Sequence, residues 1–286
     1  MTINPKMEHF CILCGQSTEH EPLYQKLNKC KTCSLVSANK IPDRQELETV
    51  YGTNYFFEGE YLNYLEEKDS LQKNFKKWIP LLKKFVPHGK LFEIGSAYGF
   101  FLELARDYWE VQGVDISHPA CDYAKSLGLH VQCGDFLDIP VEADKFDLFC
   151  LWDTIEHLKR PDLYVKKIGE TIAPGGMICL TTGDIDAFVP RIQKGKWRMI
   201  HPPTHLFYFS KKTLFALLRK NDFKIVYVSR VGFYRSLKRT LFNLSFLKKN
   251  GKWKALYDYY NRLKLGDLSF YLNLYDILLV IARKES

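Results

Sequence analysis

Short apolar runs alternate with helical periodicity over most of the chain beyond residue 89. The runs are rich in Val, Ile, Leu and Phe, whereas the segments between them carry apolar side chains at spacings of three and four. Such alternation predicts an α/β domain in which parallel strands are joined by crossover helices on both faces of the sheet. The predicted strands cover residues 91–94, 111–114, 131–133, 146–151, 177–181, 224–229 and 276–282.

The same pattern divides the chain into three predicted parts. Residues 1–41 are turn-rich, have little apolar periodicity and hold two cysteine pairs, so this segment cannot fold by burial alone. Residues 89–286 form the main domain, which contains a long basic and aromatic insertion at about residues 232–274. Residues 42–88 form a helical connecting region, with apolar side chains at Leu71, Phe75, Trp78, Leu81, Leu82 and Phe85.

The two cysteine pairs have the spacing of a structural zinc site. Each is a C-x2-C pair, and 15 residues separate them: Cys11, Cys14, Cys30 and Cys33. Four thiolates complete a tetrahedral zinc shell, which leaves no open position for catalysis. Such a metal would also fold the segment, since a forty-residue segment with few core residues needs it. We therefore predict a small zinc-ribbon-like module, against the alternative of four unrelated thiols.

A glycine-bearing loop follows the first predicted strand of the main domain. It runs from Glu93 through Gly95 to Gly99, and glycines let a ligand approach the backbone closely. The loop lacks the middle glycine with which a dinucleotide fingerprint binds a pyrophosphate. Acidic residues follow the next two strands, at Asp115 and Asp135, where Asp115 can bind ribose hydroxyls. Because S-adenosylmethionine (SAM) has a ribose but no phosphate, the pattern favours SAM over a nicotinamide cofactor.

Five ordered segments resemble the motifs of class I SAM-dependent methyltransferases. They are residues 91–102, 111–117, 134–136, 146–161 and 172–182, and the resemblance extends over about residues 90–223. It implies a Rossmann-like methyltransferase fold, with a seven-stranded, mostly parallel sheet whose last strand is antiparallel. One departure is Thr182-Gly183-Asp184, where the family often has a Pro-Asn pair. The resemblance implies these cofactor-binding residues: Glu93, Gly95, Ser96, Gly99, Asp115, Ile116, Asp135, Phe136 and Trp152.

The N-terminal region resembles that of bacterial methyltransferases that act on sugars. The resemblance rests on the cysteine pairs, a following proline and an aromatic cluster at Tyr51, Tyr55 and Phe56. It implies a nucleotide-linked or lipid-linked sugar, or a surface polysaccharide precursor, as the acceptor. Aromatic rings can stack on the apolar faces of sugars and bases, although packing between the parts of the chain would use the same side chains.

Histidines in two segments are the candidates for catalysis. Glu156 and His157 follow the fourth strand, at the carboxyl edge where open α/β sheets bind ligands. His201 and His205 lie in a segment that resembles the family's P-x-H-L-x-Y-F-S motif. A hydroxyl or acidic carbon needs a base near neutral pH before it can attack the sulfonium methyl. We expect His205, supported by His157 or His201, to be this base or an orienting residue, while His157 alone also suits a structural role.

The formal charge of +8 is unevenly distributed. Between Arg191 and Lys264 the sequence has 19 Lys and Arg residues but two acidic ones, so the rest of the chain is net acidic. A basic field of this size favours an anionic partner, such as a nucleotide-sugar, a nucleic acid or a membrane surface. Within the insertion, residues 236–249 predict an amphipathic helix with one apolar side, at Leu237, Leu241, Leu244 and Leu247. A solvated basic face without a specific partner is the alternative.

Three functions fit these features. The first is a SAM-dependent methyltransferase of saccharide biosynthesis, the second an RNA methyltransferase, and the third a SAM-binding, non-enzymatic adaptor at a membrane surface. Basic residues interleaved with core-like patterns disfavour nucleic acid, and intact acid–base candidates disfavour the adaptor. Peripheral membrane contact and the oligomeric state stay open. No apolar run of about 18 residues and no secretory signal are present, so we expect a cytoplasmic protein.

Overall fold

The structure, a computed structural model, describes residues 8–42, 64–143, 145–248, 251–263 and 268–285. The aromatic cluster at Tyr51, Tyr55 and Phe56 therefore lies outside the described residues. The strands are β1 (Glu8–Cys11), β2 (Gln16–Leu23), β3 (Leu27–Cys30), β4 (Val36–Ala38), β5 (Lys90–Ile94), β6 (Glu110–Asp115), β7 (Val131–Cys133), β8 (Phe146–Trp152), β9 (Ile172–Gly183), β10 (Phe207–Tyr208), β11 (Phe223–Arg230), β12 (Phe233–Ser236), β13 (Ser269–Leu272) and β14 (Ile277–Lys284).

Helices connect these strands and cover both faces of the central sheet. Short 3-10 turns occur at Tyr64–Glu67, Ile155–His157 and Lys194–Lys196. The α-helices are α1 (Lys68–Phe85), α2 (Phe100–Ala105), α3 (His118–Ser126), α4 (Pro161–Thr171), α5 (Phe188–Gln193), α6 (Lys211–Arg219), α7 (Leu237–Lys248) and α8 (Gly251–Arg262).

The central sheet has seven strands in the order β7-β6-β5-β8-β9-β14-β11. Its first five strands in this order are parallel, whereas β14 runs antiparallel to both of its neighbours, β9 and β11. This confirms the predicted Rossmann-like methyltransferase fold. Because β14 is reversed, its first residues lie at the edge where the parallel strands end. The residues that follow the parallel strands and the residues that precede β14 therefore lie at the same edge of the sheet.

The N-terminal segment forms a second sheet that reaches into the main domain. Its order is β1-β2-β3-β4-β10, and β10 comes from residues far along the chain. Phe207 pairs with Ser37 and Tyr208 with Val36. The N–H of Ala38 also donates to the carbonyl of Leu206 at 2.8 Å. The sequence predicted turns here. The segment instead forms four short strands, which pair with their neighbours along the chain, and the last of them pairs with β10 after the histidine segment.

Two apolar cores lie on the two faces of the central sheet. One contains Phe92 and Phe149 together with Cys11 and Leu35 of the N-terminal segment. The other contains Phe75, Trp78 and Leu82 of α1, as the spacing in the connecting region predicted. The N-terminal segment therefore shares a core with the main domain, and its boundary at residue 41 stays a prediction.

The basic insertion is a hairpin of strands and helices. Strands β12 and β13 pair antiparallel, and the helices α7 and α8 lie between them along the chain. The amphipathic helix predicted for this region is α7, in which Leu241 is buried and Leu237 and Leu244 are half-buried. Among the described residues, the structure contains no helix that is both long enough and apolar enough to cross a membrane.

Candidate active site

The glycine loop is held by hydrogen bonds to the neighbouring strand. Gly95 and Gly99 have backbone φ angles of +75° and +72°, which residues other than glycine rarely adopt. One oxygen of the Asp115 carboxylate accepts from the N–H of Ala97 at 2.7 Å, and the other from the N–H of Ser117 at 2.9 Å. A Cβ added to Gly95 would lie 2.7 Å from the Thr154 methyl group. The turn and the tight packing both require glycine at this position.

Buried polar atoms without partners surround this loop. Glu93 Oε2, Ser96 Oγ and Ser117 Oγ have no hydrogen-bond partner in the described parts of the chain. A buried polar group without a hydrogen bond reduces the stability of the fold by about 1–3 kcal/mol. The ribose hydroxyls and the amino-acid end of SAM carry donors and acceptors that can satisfy all three. The polar groups at this loop therefore fit SAM, and the assignment of Asp115 to the ribose stays a prediction.

Burial dominates the electrostatics of the two acidic residues at the loop. It raises the pKa of Glu93 well above the usual range, and the charge of Asp115 raises it further. Burial also raises the pKa of Asp115, although the backbone N–H groups of Ser117, Ala97 and Ile116 lower it. Both carboxyl groups thus hold a proton at a higher pH than exposed carboxyl groups do.

Two of the predicted cofactor-binding residues differ in exposure. The side chain of Ile116 is 48% exposed beside Asp115, and it offers apolar surface to a cofactor. The ring of Phe136 is 1% exposed and packs on Phe92 with ring centroids 5.7 Å apart. The core between α4 and the sheet therefore takes this ring, which leaves the backbone of Phe136 as the part that can contact the cofactor.

Asp135 follows β7, as the sequence predicted. Its carboxylate accepts a hydrogen bond from the N–H of Leu137 at 2.8 Å and another from the hydroxyl of Tyr164. These bonds hold the carboxylate in place at the end of the strand. An adenine amino group would share it with Tyr164.

Trp152 ends β8 and lies in an aromatic cluster. Its ring stacks on Trp78 with centroids 4.8 Å apart, and it contacts Phe101 edge-on at 5.0 Å. The indole Nε1 is buried and has no hydrogen-bond partner among the described residues. Trp152 thus joins α1 to the helix that follows the glycine loop, and it offers a donor at the carboxyl edge.

The structure brings the four predicted catalytic residues together. His205 lies between the other two histidines, with ring centroids 4.4 Å from His157 and 3.7 Å from His201. The N–H of Leu206 donates to the carbonyl of Glu156 at 2.8 Å, which joins the histidine segment to the end of the fourth parallel strand. The side chains lie close together although the two segments are more than 40 positions apart in the sequence.

Two threonines that were not predicted as site residues form hydrogen bonds with this cluster. Thr182 Oγ1 donates to Glu156 Oε2 at 3.0 Å. His157 Nδ1 donates to the carbonyl of Thr204 at 2.9 Å, and His201 Nδ1 lies 2.6 Å from the hydroxyl of Thr204. Thr182 belongs to the segment that departs from the family's Pro-Asn pair, which was the only available signal. The departure thus supplies the donor that orients Glu156.

Burial keeps the histidines neutral. It lowers the pKa values of His157 and His201 to about 4, and that of His205 well below the usual value. Burial also raises the pKa of Glu156 to about 8, and the charge of Asp153 contributes to this. His205 is 5% exposed, whereas His157 and His201 are half-buried. A small molecule can therefore reach His157 and His201 more easily than His205.

A network of charged side chains at the same edge was not predicted. Asp276 is buried and accepts from Arg198 at 2.7 Å and from the indole of Trp197 at 2.8 Å. Asp153 Oδ1 is buried without a hydrogen-bond partner in the described residues, and burial raises the pKa of Asp153 although the charges of Arg198 and Arg235 oppose this shift. Asp276 precedes the reversed strand β14, so only the sheet topology reveals that it lies at this edge.

The four cysteines converge in the N-terminal segment. Cys11 Sγ lies 3.5 Å from Cys33 Sγ, and Cys14 Sγ lies 3.8 Å from Cys30 Sγ. A zinc ion bound tetrahedrally at about 2.3 Å would space its sulfur ligands by about 3.8 Å. All four ligand atoms lie within 4.8 Å of one another. The cluster is compatible with a closed, structural zinc site, as the spacing predicted.

Comparisons with known proteins agree with the fold. An uncharacterized protein of Methanocaldococcus jannaschii is 25% identical over 174 residues, which are 61% of this chain and 82% of that protein. A ubiquinone biosynthesis O-methyltransferase of Coxiella burnetii is 29% identical over 99 residues, 32% of this chain and 42% of that enzyme. The chain thus matches less than half of the Coxiella enzyme, and this relative does not determine the acceptor.

Solved structures share the fold at low sequence identity. A candidate methyltransferase of Bacillus halodurans has a TM-score of 0.55 at 13% identity, covering 75% of this chain and 100% of that one. The YcgJ protein of Bacillus subtilis has a TM-score of 0.51 at 15% identity, covering 74% and 99%. The family model described as a methyltransferase domain matches residues 67–228, more than half of the chain. The chain therefore belongs to the methyltransferase domain family and is a class I SAM-dependent methyltransferase.

Proposed function

We propose that this methyltransferase acts on a small saccharide that bears a phosphate: a nucleotide-linked or lipid-linked sugar, or a precursor of a surface polysaccharide. The observation that carries the proposal is the cluster of three imidazoles and one carboxylate at the carboxyl edge of the sheet. It comprises His157, His201, His205 and Glu156. Neutral imidazoles can take a proton from a hydroxyl or an acidic carbon.

The cluster and the glycine loop are close enough to serve one reaction. Thr154 packs against Gly95, and Glu156 lies two residues further along the chain. SAM supplies an electrophilic methyl group, and the chain must hold the acceptor in line with it and exclude water. In our proposal His201 takes the acceptor's proton. His205 lies between His157 and His201 and orients both rings.

Cationic side chains beside the cluster support a phosphate-bearing acceptor. Arg198 and Arg235 both act on the buried carboxylate of Asp153. The guanidinium of Arg198 is held by both oxygens of Asp276, at 2.7 and 3.1 Å. Asp276 fixes the guanidinium and also offsets part of its charge. The guanidinium has N–H donors beyond the two that Asp276 takes, and these could bind a phosphate of a nucleotide-linked or lipid-linked sugar.

Internal ion pairs weaken the case for RNA as the acceptor. Part of the basic charge between residues 191 and 264 is used within the fold, since Arg230 pairs with the buried Asp184 at 2.7 Å. Arg239 pairs with Glu67 at 3.2 Å in the same way. Because of these pairs, the uncompensated basic surface is smaller than the sequence indicated. RNA binding requires a continuous basic surface.

One observation supports a lipid-linked acceptor at a membrane surface as a second candidate. Leu256, Tyr259 and Leu263 are exposed at α8 and the residue after it, on a helix that also carries basic residues. Exposed apolar and basic side chains together suit the surface of an anionic membrane. Flotation with vesicles of anionic lipid tests this arm separately from methyl transfer.

We propose further that the four cysteines hold one structural zinc ion. The spacing of their sulfur atoms and the closed shell support this role.

Tritium transfer from labelled SAM tests the acceptor. Nucleotide-sugars, isolated polysaccharide, lipid-linked sugars and total RNA are offered in parallel, and reactions without the protein give the background. We expect label in a phosphate-bearing saccharide. Label that enters RNA alone, with binding that weakens steeply as salt increases, would contradict the proposal.

A further inference from the structure

We infer that Glu156, His157 and His205 form a second metal site, separate from the four cysteines, for a divalent first-row transition ion such as zinc. One carboxylate oxygen and one ring nitrogen from each histidine lie within 4.8 Å of one another. Two imidazoles and one carboxylate are a donor set that binds zinc and neighbouring metals and leaves positions open for other ligands.

A hydrogen bond to the main chain orients the imidazole of His157 as a metal ligand. His157 Nδ1 donates to the carbonyl of Thr204 at 2.9 Å, so Nε2 carries the lone pair of the neutral ring. Histidines that bind a metal usually donate their other ring N–H to a carbonyl or carboxylate, which sets the tautomer. His157 has this arrangement.

The carboxylate of Glu156 gives an independent reason for a cation. Glu156 is 2% exposed, and Thr182 donates to its Oε2 at 3.0 Å. The other oxygen, Oε1, is buried and has no hydrogen-bond partner within the described residues. A buried carboxylate oxygen without a partner is costly. In a hydrogen-bonded pair of Glu156 and a histidine, the ring would donate to Oε1. Because no such bond is present among the described residues, a metal ion is the partner that we infer for Oε1.

The ligands come from two segments that other contacts already join. Glu156 and His157 belong to the turn after β8, and His205 precedes β10. An ion would link the end of a central strand to the strand that pairs with the cysteine module. His201 contacts His205 but lies outside the group of mutually close ligand atoms. It stays available as a base.

The role of this ion in the reaction rests on the proposed function, whereas the site itself does not. An acceptor hydroxyl bound at an open position would lose its proton at a lower pH. The O–H bond breaks and the proton passes to His201. The oxygen then forms a bond to the methyl carbon, the methyl–sulfur bond breaks, and sulfur keeps the electron pair. The products are the methyl ether and S-adenosylhomocysteine.

Metal analysis of the full chain tests the site. The protein, free of any affinity tag, is dialysed against zinc and then metal-free buffer, and its zinc is counted by mass spectrometry. We expect two equivalents in the native chain and one in Glu156→Gln and in His157→Ala. The exposed His130 is the matched control, and His130→Ala should keep two. One equivalent in the native chain, unchanged in both cluster variants, would overturn the inference.

Cobalt spectra separate a lost site from a misfolded protein. Cobalt bound by four thiolates has intense charge-transfer bands, whereas cobalt bound by imidazole and carboxylate has only weak visible bands. We expect His157→Ala to lose the weak bands and keep the intense ones, with native circular dichroism. Retention of every band would refute the site. If two ions bind but no saccharide is methylated, the proposed function fails and the metal site stands.

Discussion

Tyr208, three residues after the buried His205, pairs with Val36 of the cysteine module in an antiparallel ladder. The cysteine cluster and the catalytic candidates are therefore linked through one short sheet. Lys220 adds a second link, because its ammonium donates to the carbonyl of Leu13 at 3.1 Å. If the four cysteines hold zinc, as proposed, this closed site can influence the reaction by positioning the histidine segment, without any catalytic chemistry of its own.

Loss of the cysteine-bound metal should reduce turnover more than SAM binding. Cys30→Ser removes a fully buried ligand, and the strand before Val36 should then loosen. The glycine loop belongs to the central sheet, so we expect the Kd for SAM to change less than about threefold while kcat falls at least about tenfold. Calorimetry with SAM and a turnover assay measure the two. Lys31→Ala, on the exposed side of the same module, is the control, and equal losses in both quantities would contradict this coupling.

Replacing Asp115 by Asn should weaken SAM binding. The carboxylate accepts from the N–H groups of Ala97 and Ser117, and we predict that it binds the ribose of SAM. The Asn amide keeps one acceptor oxygen but lacks the negative charge. The lost charged hydrogen bond should reduce the free energy of SAM binding by about 1.5–3 kcal/mol, which raises the Kd about 10- to 100-fold. Titration calorimetry measures this directly. The exposed Asp122, changed to Asn, should leave the Kd as it is.

SAM affinity should fall in mildly acidic solution. The raised pKa of Asp115 means that its carboxyl group takes up a proton at a higher pH than the ordinary value of about 4. The protonated form accepts hydrogen bonds poorly, so affinity is complete above the raised pKa and declines as the pH falls through it. The Kd for SAM, measured across a pH series, should show this decline. A Kd that stays constant down to the ordinary aspartate range would be inconsistent with it.

Replacing His205 by Asn should abolish turnover while the Kd for SAM stays nearly unchanged. His205 contacts His157 and His201 rather than the glycine loop. His205 orients the other two imidazoles, so its loss should misplace the acid–base group, and misplacement of such a group costs up to about 10²- to 10⁴-fold in rate. Single-turnover kinetics and calorimetry on the same sample separate the two effects. Native turnover in this variant would remove His205 from the reaction.

Phe136 and Ile116 should respond to truncation in opposite ways. Phe136→Ala empties a site in the core, so we expect a loss of about 3–5 kcal/mol in the free energy of unfolding. Ile116→Ala removes an exposed side chain, so stability should hardly change and the Kd for SAM should rise a few-fold, by about 1 kcal/mol. Urea denaturation and calorimetry measure these. The reverse pattern would indicate that the Phe136 side chain contacts SAM.

Most of the fold follows from local patterns in the sequence. Apolar runs predicted the seven strands of the central sheet, and spacings of three and four predicted α1 between Lys68 and Phe85. The spacing of the cysteines predicted a convergent cluster, and the glycine loop with its acidic residues predicted the side where SAM binds. These features depend on residues near one another in the chain, where periodicity and turn chemistry act directly.

The tertiary structure decided what the local patterns could not. Periodicity indicates that Phe136 is apolar, but only packing shows that the core takes its ring. Asp276 reaches the site because the last strand is reversed, and the cysteine module reaches it because Tyr208 pairs with Val36. The sequence by itself determined the fold class, the cofactor loop and the candidate residues. The arrangement of Glu156 and the histidines depends on long-range contacts, whose energies arise only when distant segments pack together.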